Sequence, residues 1–299
     1  MYKPCLYANY RVITPLISRV QPPLAYRLLN STGGIGKPLS HHTSYLFDYP
    51  AAEVGIEAVM KYLKLDRAGA IAVIRKFYLL ETRLHLENLW LSKGQEANLE
   101  GIIDMQAMRK IAAMITRNGP MILLSGHTTY YFMILWALKA LGHKTAFMMV
   151  NPRSAIRDNA IMQRSLILSA DALSGIMPVL FTNEGGTVRK GIDLLKSGHT
   201  ILMLLDIPGY RNRGIKIDLF DNEFWIPTGC LRIREEASVP AASIFSYAGR
   251  PEAPYRIYCS GIRELAEPPD LQHWANELES VIRQSPGSWF GWFILRDMI

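Results

Sequence analysis

The 299-residue chain has few cysteines. Cys5, Cys230 and Cys259 are odd in number and far apart. That excludes a disulfide framework and zinc-ligand spacing, and points to a reducing compartment. His41, His42, His85, His143, His199 and His273 stand in no ligand spacing with a carboxylate or a cysteine, so no metal is expected. Long apolar runs are missing too. Met121 to Leu124, Tyr130 to Leu138 and Ile201 to Leu205 fall far short of the roughly 20 residues a bilayer needs. The first 30 residues carry Lys3, Arg11, Arg19 and Arg27 without an uninterrupted apolar stretch, which predicts no secretory signal. No internal repeat or low-complexity tract occurs. Charged residues make up 20% against 49% hydrophobic ones, which excludes a disordered or coiled-coil chain.

What the chain does have is a basic excess, +7 in formal net charge. This favours an acidic partner: nucleic acid, an anionic membrane, a carrier protein or a phosphorylated cofactor. Residues 1–50 read as an irregular, amphipathic N-terminal segment with Pro15, Pro22, Pro23 and a Ser31-Thr32-Gly33-Gly34 turn. Its mixture of leucines, isoleucines and arginines suits either packing on the domain or an anionic membrane surface.

Residues 51–299 read as a single α/β domain. Asp66 is placed to cap a helix from Arg67 to about Ser92, and a second helix over about 104–117 stops at Asn118-Gly119-Pro120. From residue 121 the texture changes. Short apolar strands at 121–124, 145–150, 176–181 and 200–205 alternate with helices at 130–141 and 187–196 and a polar, arginine-bearing one after Pro152. Further strands are expected at 215–220, 241–247 and 255–259, and helices at 228–237 and 271–283. The alternation predicts a mixed, centrally parallel sheet with helices on both faces, beneath an N-terminal helical layer.

In such sheets ligands bind beyond the carboxyl ends of the strands. Two polar groups fall there: Ser125-Gly126-His127-Thr128-Thr129 after the strand at 121–124, and Asp206 after the strand at 200–205. A histidine at a strand-to-helix turn suits a general base, and Thr128 and Thr129 suit a helix start whose N–H groups meet an oxyanion. Tyr130, Tyr131 and Phe132 follow as candidate pocket residues. Arg157, Arg164 and Arg189 suit phosphate groups, or equally solvated helix faces. Cys230 falls in the first turn of a helix, where a thiol can be activated, or where a small residue is simply buried. Glu184-Gly185-Gly186-Thr187 has the form of a phosphate loop but also of a plain turn, and Trp289 and Trp292 read as core or pocket wall.

The run from Gly119 to Gly142 resembles the core of the lipid A biosynthesis late acyltransferases, within the lysophospholipid acyltransferase superfamily. The resemblance continues through Asn151-Pro152, through Val188-Arg189-Lys190-Gly191 to Gly198 and Leu204-Leu205-Asp206, then through Phe220 to Gly229. It ends on Pro286-Gly287-Ser288-Trp289 with Trp292 and Arg296. It implies an acyltransferase that takes an acyl or aminoacyl group from a thioester donor, on acyl carrier protein or coenzyme A, with no tightly bound cofactor. The acceptor would be a hydroxyl or an amine. One departure is specific: the family pairs its histidine with an Asp or Glu five positions later, and here that position is Phe132.

Three explanations stay open. Asp206 rebuilds the pair from a neighbouring strand, as triads elsewhere assemble from distant segments. Alternatively His127 acts without a carboxylate on a more nucleophilic acceptor, or the fold is a non-catalytic binder of a lipid, carrier or protein. The missing acid and anchor favour a divergent member, in a secondary-metabolite pathway or in aminoacyl transfer. An aminoacyl-tRNA donor fits the charge, but no RNA-binding motif supports it. The expected location is cytoplasmic, with peripheral attachment to the inner face of the membrane as an open option.

Overall fold

A computed structural model describes residues 14–17, 19–22, 24–28, 49–93, 98–129, 131–151, 173–207, 214–250, 253–262 and 268–295, with isolated positions at 153, 167, 170 and 171. The Ser31–Gly34 turn, His41, His42, Tyr130, Arg157, Arg164 and Arg296 lie outside them.

Among the described residues the first helices are α1 (Thr14–Ile17), α2 (Tyr49–Leu63) and α3 (Arg67–Ser92). As expected, Asp66 caps α3, its Oδ1 accepting the Gly69 N–H at 2.8 Å. Along α3 the residues Ala70, Ile74, Phe77, Leu80, Arg83, Leu86, Glu87 and Trp90 are buried, the three-to-four spacing of one helix face. After α4 (Leu99–Ile102), α5 (Met105–Asn118) begins where the Asp104 side chain accepts the Ala107 N–H and stops at Gly119, whose φ of 82° only glycine adopts freely.

The remaining elements are β1 (Ile122–Ser125), α6 (Phe132–Ala140), β2 (Thr145–Met149), β3 (Val179–Phe181), α7 (Thr187–Lys196), β4 (Thr200–Leu204), β5 (Gly214–Leu219), β6 (Asn222–Pro227), α8 (Gly229–Ala237), β7 (Ala241–Tyr247), β8 (Arg256–Cys259) and α9 (Pro268–Gln284). Two short 3-10 turns, Pro286–Ser288 and Phe290–Phe293, follow. Six strands form one sheet in the order β3-β2-β4-β1-β7-β8, parallel except for β8. All four residues of β1 are buried, because the sheet is covered twice. Ile122 and Leu124 join one core with α2, the first half of α3, α7, α8 and α9. Leu123 joins the other, with the second half of α3, α5 and α6. This is the expected α/β class, with helices on both faces of a centrally parallel sheet.

Two elements differ from expectation. The strand expected at 215–220 is half of a separate β5–β6 hairpin. Its turn, Phe220–Asp221, takes positive φ at both residues (53° and 57°), the backbone of a type I′ turn without the usual Asn-Gly that announces it. The helix Tyr49–Leu63 begins within the stretch read as irregular and packs against α3. Among the described residues no helix is long and apolar enough to cross a membrane.

The connections place the site. After β1 the chain turns into α6 on one face of the sheet; after β4 it proceeds to α8 on the other. Since β1 and β4 are hydrogen-bonded neighbours, their two exits diverge at a topological switch point, where α/β sheets open a crevice.

Candidate functional site

His127 leaves β1 and Asp206 leaves β4 at that switch point. The parallel register pairs Ser125 with Leu204, and the Leu205 N–H donates to the Ser125 carbonyl at 3.0 Å. The two following segments are thereby held side by side. Gly126 makes the approach possible: a Cβ there would lie 2.9 Å from Asp206 Oδ2 and 2.9 Å from Leu278 Cδ1.

The result is a close pair. Asp206 Oδ1 lies 2.8 Å from His127 Nδ1, while Asp206 Oδ2 accepts the His127 backbone N–H at 2.7 Å and the Trp289 indole N–H at 2.7 Å. The carboxylate is fully buried, and the imidazole keeps 21% of its surface exposed. With the carboxylate as acceptor, the proton sits on Nδ1 and the Nε2 lone pair is left over. The ring lies between Tyr131, edge-on at 5.7 Å, and Phe290 at 6.0 Å.

The segment carrying Trp289 crosses the histidine turn as a short antiparallel bridge, Thr128 opposite Trp289. Phe290 N–H donates to the His127 carbonyl at 2.9 Å and Thr129 N–H to the Ser288 carbonyl at 2.5 Å. Ser288 Oγ accepts the Ala248 N–H, and Ser285 Oγ donates to the Ala248 carbonyl. Lys76 Nζ reaches the Ala248 carbonyl at 3.0 Å and Ser285 Oγ at 3.2 Å, and burial holds its pKa below the ordinary lysine value.

Several expectations are corrected by this arrangement. Thr128 and Thr129 do not offer N–H groups to an oxyanion, since both are donated internally, Thr128 N–H to the Gly126 carbonyl at 2.7 Å. The reason is local: Thr129 has φ 36°, and α6 starts only at Phe132. The Thr129 hydroxyl donates to Ser246, and Thr128 Oγ1 is buried without a hydrogen-bond partner. Phe132 is no pocket wall: at 3% exposure it packs between Tyr131 and Phe147 in the core. A small cavity of about 10 Å³, room for a single water, lies instead on the α3 side, lined by Phe77, Leu80, Leu84, Thr129, Tyr255 and Ser288.

Cys230 is buried in the core, and burial pushes its thiol up to about 12, so it is no activated nucleophile. Arg189 points to solvent from α7, 79% exposed and paired with Asp193 at 3.3 Å. In the Glu184–Thr187 turn the Thr187 hydroxyl donates to the Phe181 and Glu184 carbonyls, which closes the turn on itself. Among the described residues no three His, Cys, Asp or Glu side chains cluster as a metal site would require.

Sequence reasoning missed the role open to Trp289. Its indole is fully buried against Phe220 and Trp292, as expected of core, yet its N–H is aimed at Asp206. Its place in the Pro286-Gly287-Ser288-Trp289 ending of the resemblance is the signal that could have found it. It also missed a second buried carboxylate. Glu87 on α3 accepts from Tyr26 Oη (2.6 Å), Tyr255 Oη (2.9 Å) and Arg83 Nε (3.2 Å). The Arg83 guanidinium lies 3.8 Å from the Tyr26 ring centroid and 4.3 Å from that of Tyr255, and donates to the Ala253 carbonyl.

Compared with protein-family models and with curated proteins, the chain finds no match.

Proposed function

We propose that the protein transfers an acyl or aminoacyl group from a thioester donor, carried by acyl carrier protein or coenzyme A, to a hydroxyl or amine, with His127 as general base. The observation that carries this is the 2.8 Å contact between His127 Nδ1 and a fully buried Asp206, with the imidazole itself partly open. It supports a pair rebuilt from the strand next door, in place of the acid that Phe132 displaces. The resemblance quoted above supplies the reaction class.

In this reading Nε2 accepts the proton of the acceptor's hydroxyl or amine as that group attacks the thioester carbonyl. The tetrahedral intermediate collapses with the C–S bond breaking, and the imidazolium returns its proton to the departing thiolate. Asp206 holds the tautomer and balances the imidazolium without taking the proton itself.

The test is mass-spectrometric detection of product with a panel of acyl and aminoacyl carrier-protein and coenzyme A donors, against hydroxyl and amine acceptors. Transfer that is lost in His127→Ala is the expected result. If no donor and acceptor pair gives His127-dependent transfer, the enzyme reading fails and a binding function takes its place.

A further inference from the structure

We propose that Trp289 is a positioning residue for the His127–Asp206 pair, an inference that rests on the reading of His127 as general base. The sheet face that packs against α9 and the 3-10 turns buries three indoles that can be compared, Trp274, Trp289 and Trp292. Trp274 Nε1 is buried with no hydrogen-bond partner, and Trp292 Nε1 donates to the Pro286 carbonyl at 2.8 Å. Only Trp289, among these three, gives its N–H to a carboxylate, at 2.7 Å. The fold therefore accommodates a buried indole without such a partner, and core packing alone does not account for the contact.

The carboxylate geometry shows what the contact does. Asp206 Oδ2 receives two N–H donors, the His127 backbone and the Trp289 indole, and Oδ1 receives the imidazole. A side-chain carboxylate turns easily about its last torsion, which is broad and two-fold. Two donors on one oxygen pin that torsion, so Oδ1 is presented to Nδ1 in one plane. Hydrogen bonds to a charged acceptor are the strong ones.

The indole is itself held by the backbone it serves. Residues 288–290 grip the histidine turn from both sides: Thr129 N–H to Ser288 O, and Phe290 N–H to His127 O. Gly287, next in line, lies so close to Lys76 that a Cβ there would sit 2.7 Å from the lysine Cβ, which fixes the height of the segment over α3. One strap thus sets both the histidine backbone and the far oxygen of its acid. It is the arrangement expected where a reacting group must be held within a fraction of an ångström.

The experiment is nitrogen-15 NMR of the full chain with labelled histidine and tryptophan, combined with transfer kinetics. In the wild type His127 should be the Nδ1–H tautomer. In Trp289→Phe, which keeps a ring and removes the donor, it should become a mixture of tautomers, and kcat should fall about 10- to 100-fold with KM nearly unchanged. Combining Trp289→Phe with Asp206→Asn should cost no more in kcat than Asp206→Asn alone, because both act through the same imidazole. If Trp289→Phe lowers the melting temperature and leaves the His127 tautomer as in the wild type, the indole is structural and the proposal is overturned. Should Trp289→Phe not fold, Asp206→Asn decides: its Trp289 indole N–H resonance must move while that of Trp292 stays, and an unmoved Trp289 signal overturns the proposal. The NMR readouts need no substrate. A wild type that has the expected tautomer but transfers nothing therefore defeats the enzyme reading separately.

Discussion

Glu87 and Asp206 are both fully buried carboxylates, and both hold three hydrogen-bond donors, yet their surroundings leave opposite things over. Around Glu87 the donors are two tyrosine hydroxyls and a guanidinium with 1% of its side chain exposed. Arginine is never a proton acceptor at physiological pH, and stacked between two rings it has no face left for a ligand. Around Asp206 the third donor is an imidazole, whose second nitrogen can accept a proton, and it opens one edge outward. The first arrangement ties α3 to the segment 24–28 and to Tyr255 at the start of β8. The second leaves the Nε2 lone pair over, on an imidazole that is partly exposed. Burial of a charge is common to both; reactivity belongs to the one whose partner can change its protonation state.

This contrast is tested most severely by rate. Asp206→Asn should lower transfer by about 10⁴-fold, as replacing an orienting carboxylate does elsewhere, and His127→Ala should abolish it. Both should cost only about 1–3 kcal/mol of stability in denaturant titrations, the price of one unmet buried group. A third buried carboxylate, made without donors, gives the next largest effect. Phe132→Glu restores an acid at the position the resemblance expects, but in a core between Tyr131 and Phe147. It should destabilise by several kcal/mol and fail to restore the rate to Asp206→Asn, as thermal melts and the transfer assay will record.

Glu87→Ala should behave in the reverse manner to Asp206→Asn. It strands a buried arginine and should cost about 3–5 kcal/mol, while kcat per folded molecule stays at the wild-type value. A smaller effect separates the two sites by pH. Burial pushes the Glu87 carboxyl up, against Arg83 and the tyrosine hydroxyls that pull it down. A carboxyl whose folded-state pKa is raised binds its proton more tightly when folded, so its contribution to stability grows as pH falls and is lost as pH rises through that pKa. The melting-temperature gap between the wild type and Glu87→Gln should therefore widen from pH 7 towards pH 4. Least affected of all should be Cys230→Ala. With the thiol pushed up to about 12 and buried beside Ile233, it should lose about 1 kcal/mol and no transfer activity.

Much of this frame was legible because local signals and burial agreed. Asp66 and Asp104 announce helix starts, Gly119 a stop, and the apolar strands at β1, β2 and β4 read as doubly covered. Asp206 stood out by its place at a strand end. Its pairing with His127 could not be read directly, because neighbours in a parallel sheet are set by crossovers, and these two residues are 79 positions apart. The hairpin turn at Phe220–Asp221 was hidden since its positive φ values fall on residues that rarely adopt them. Trp289 resembled ordinary core for the same reason that any indole does: its polar edge acquires meaning only from a partner 83 residues away. Arg83 and Glu87, four apart on one helix, look like a solvated pair until the tyrosines close over them.

The central position of β1 and β4 has a consequence for proton exchange with solvent. The amides that join them, such as Ile201 to the Met121 carbonyl and Leu205 to the Ser125 carbonyl, lie deep in a six-stranded sheet with both faces covered. They open only when the whole sheet does, so their deuterium uptake reports global unfolding. Two residues beyond Ser125, the His127 ring keeps 21% of its surface open to solvent. A protected backbone and a solvent-facing imidazole edge are thus set two residues apart, and the stillness of the first fixes where the second is presented.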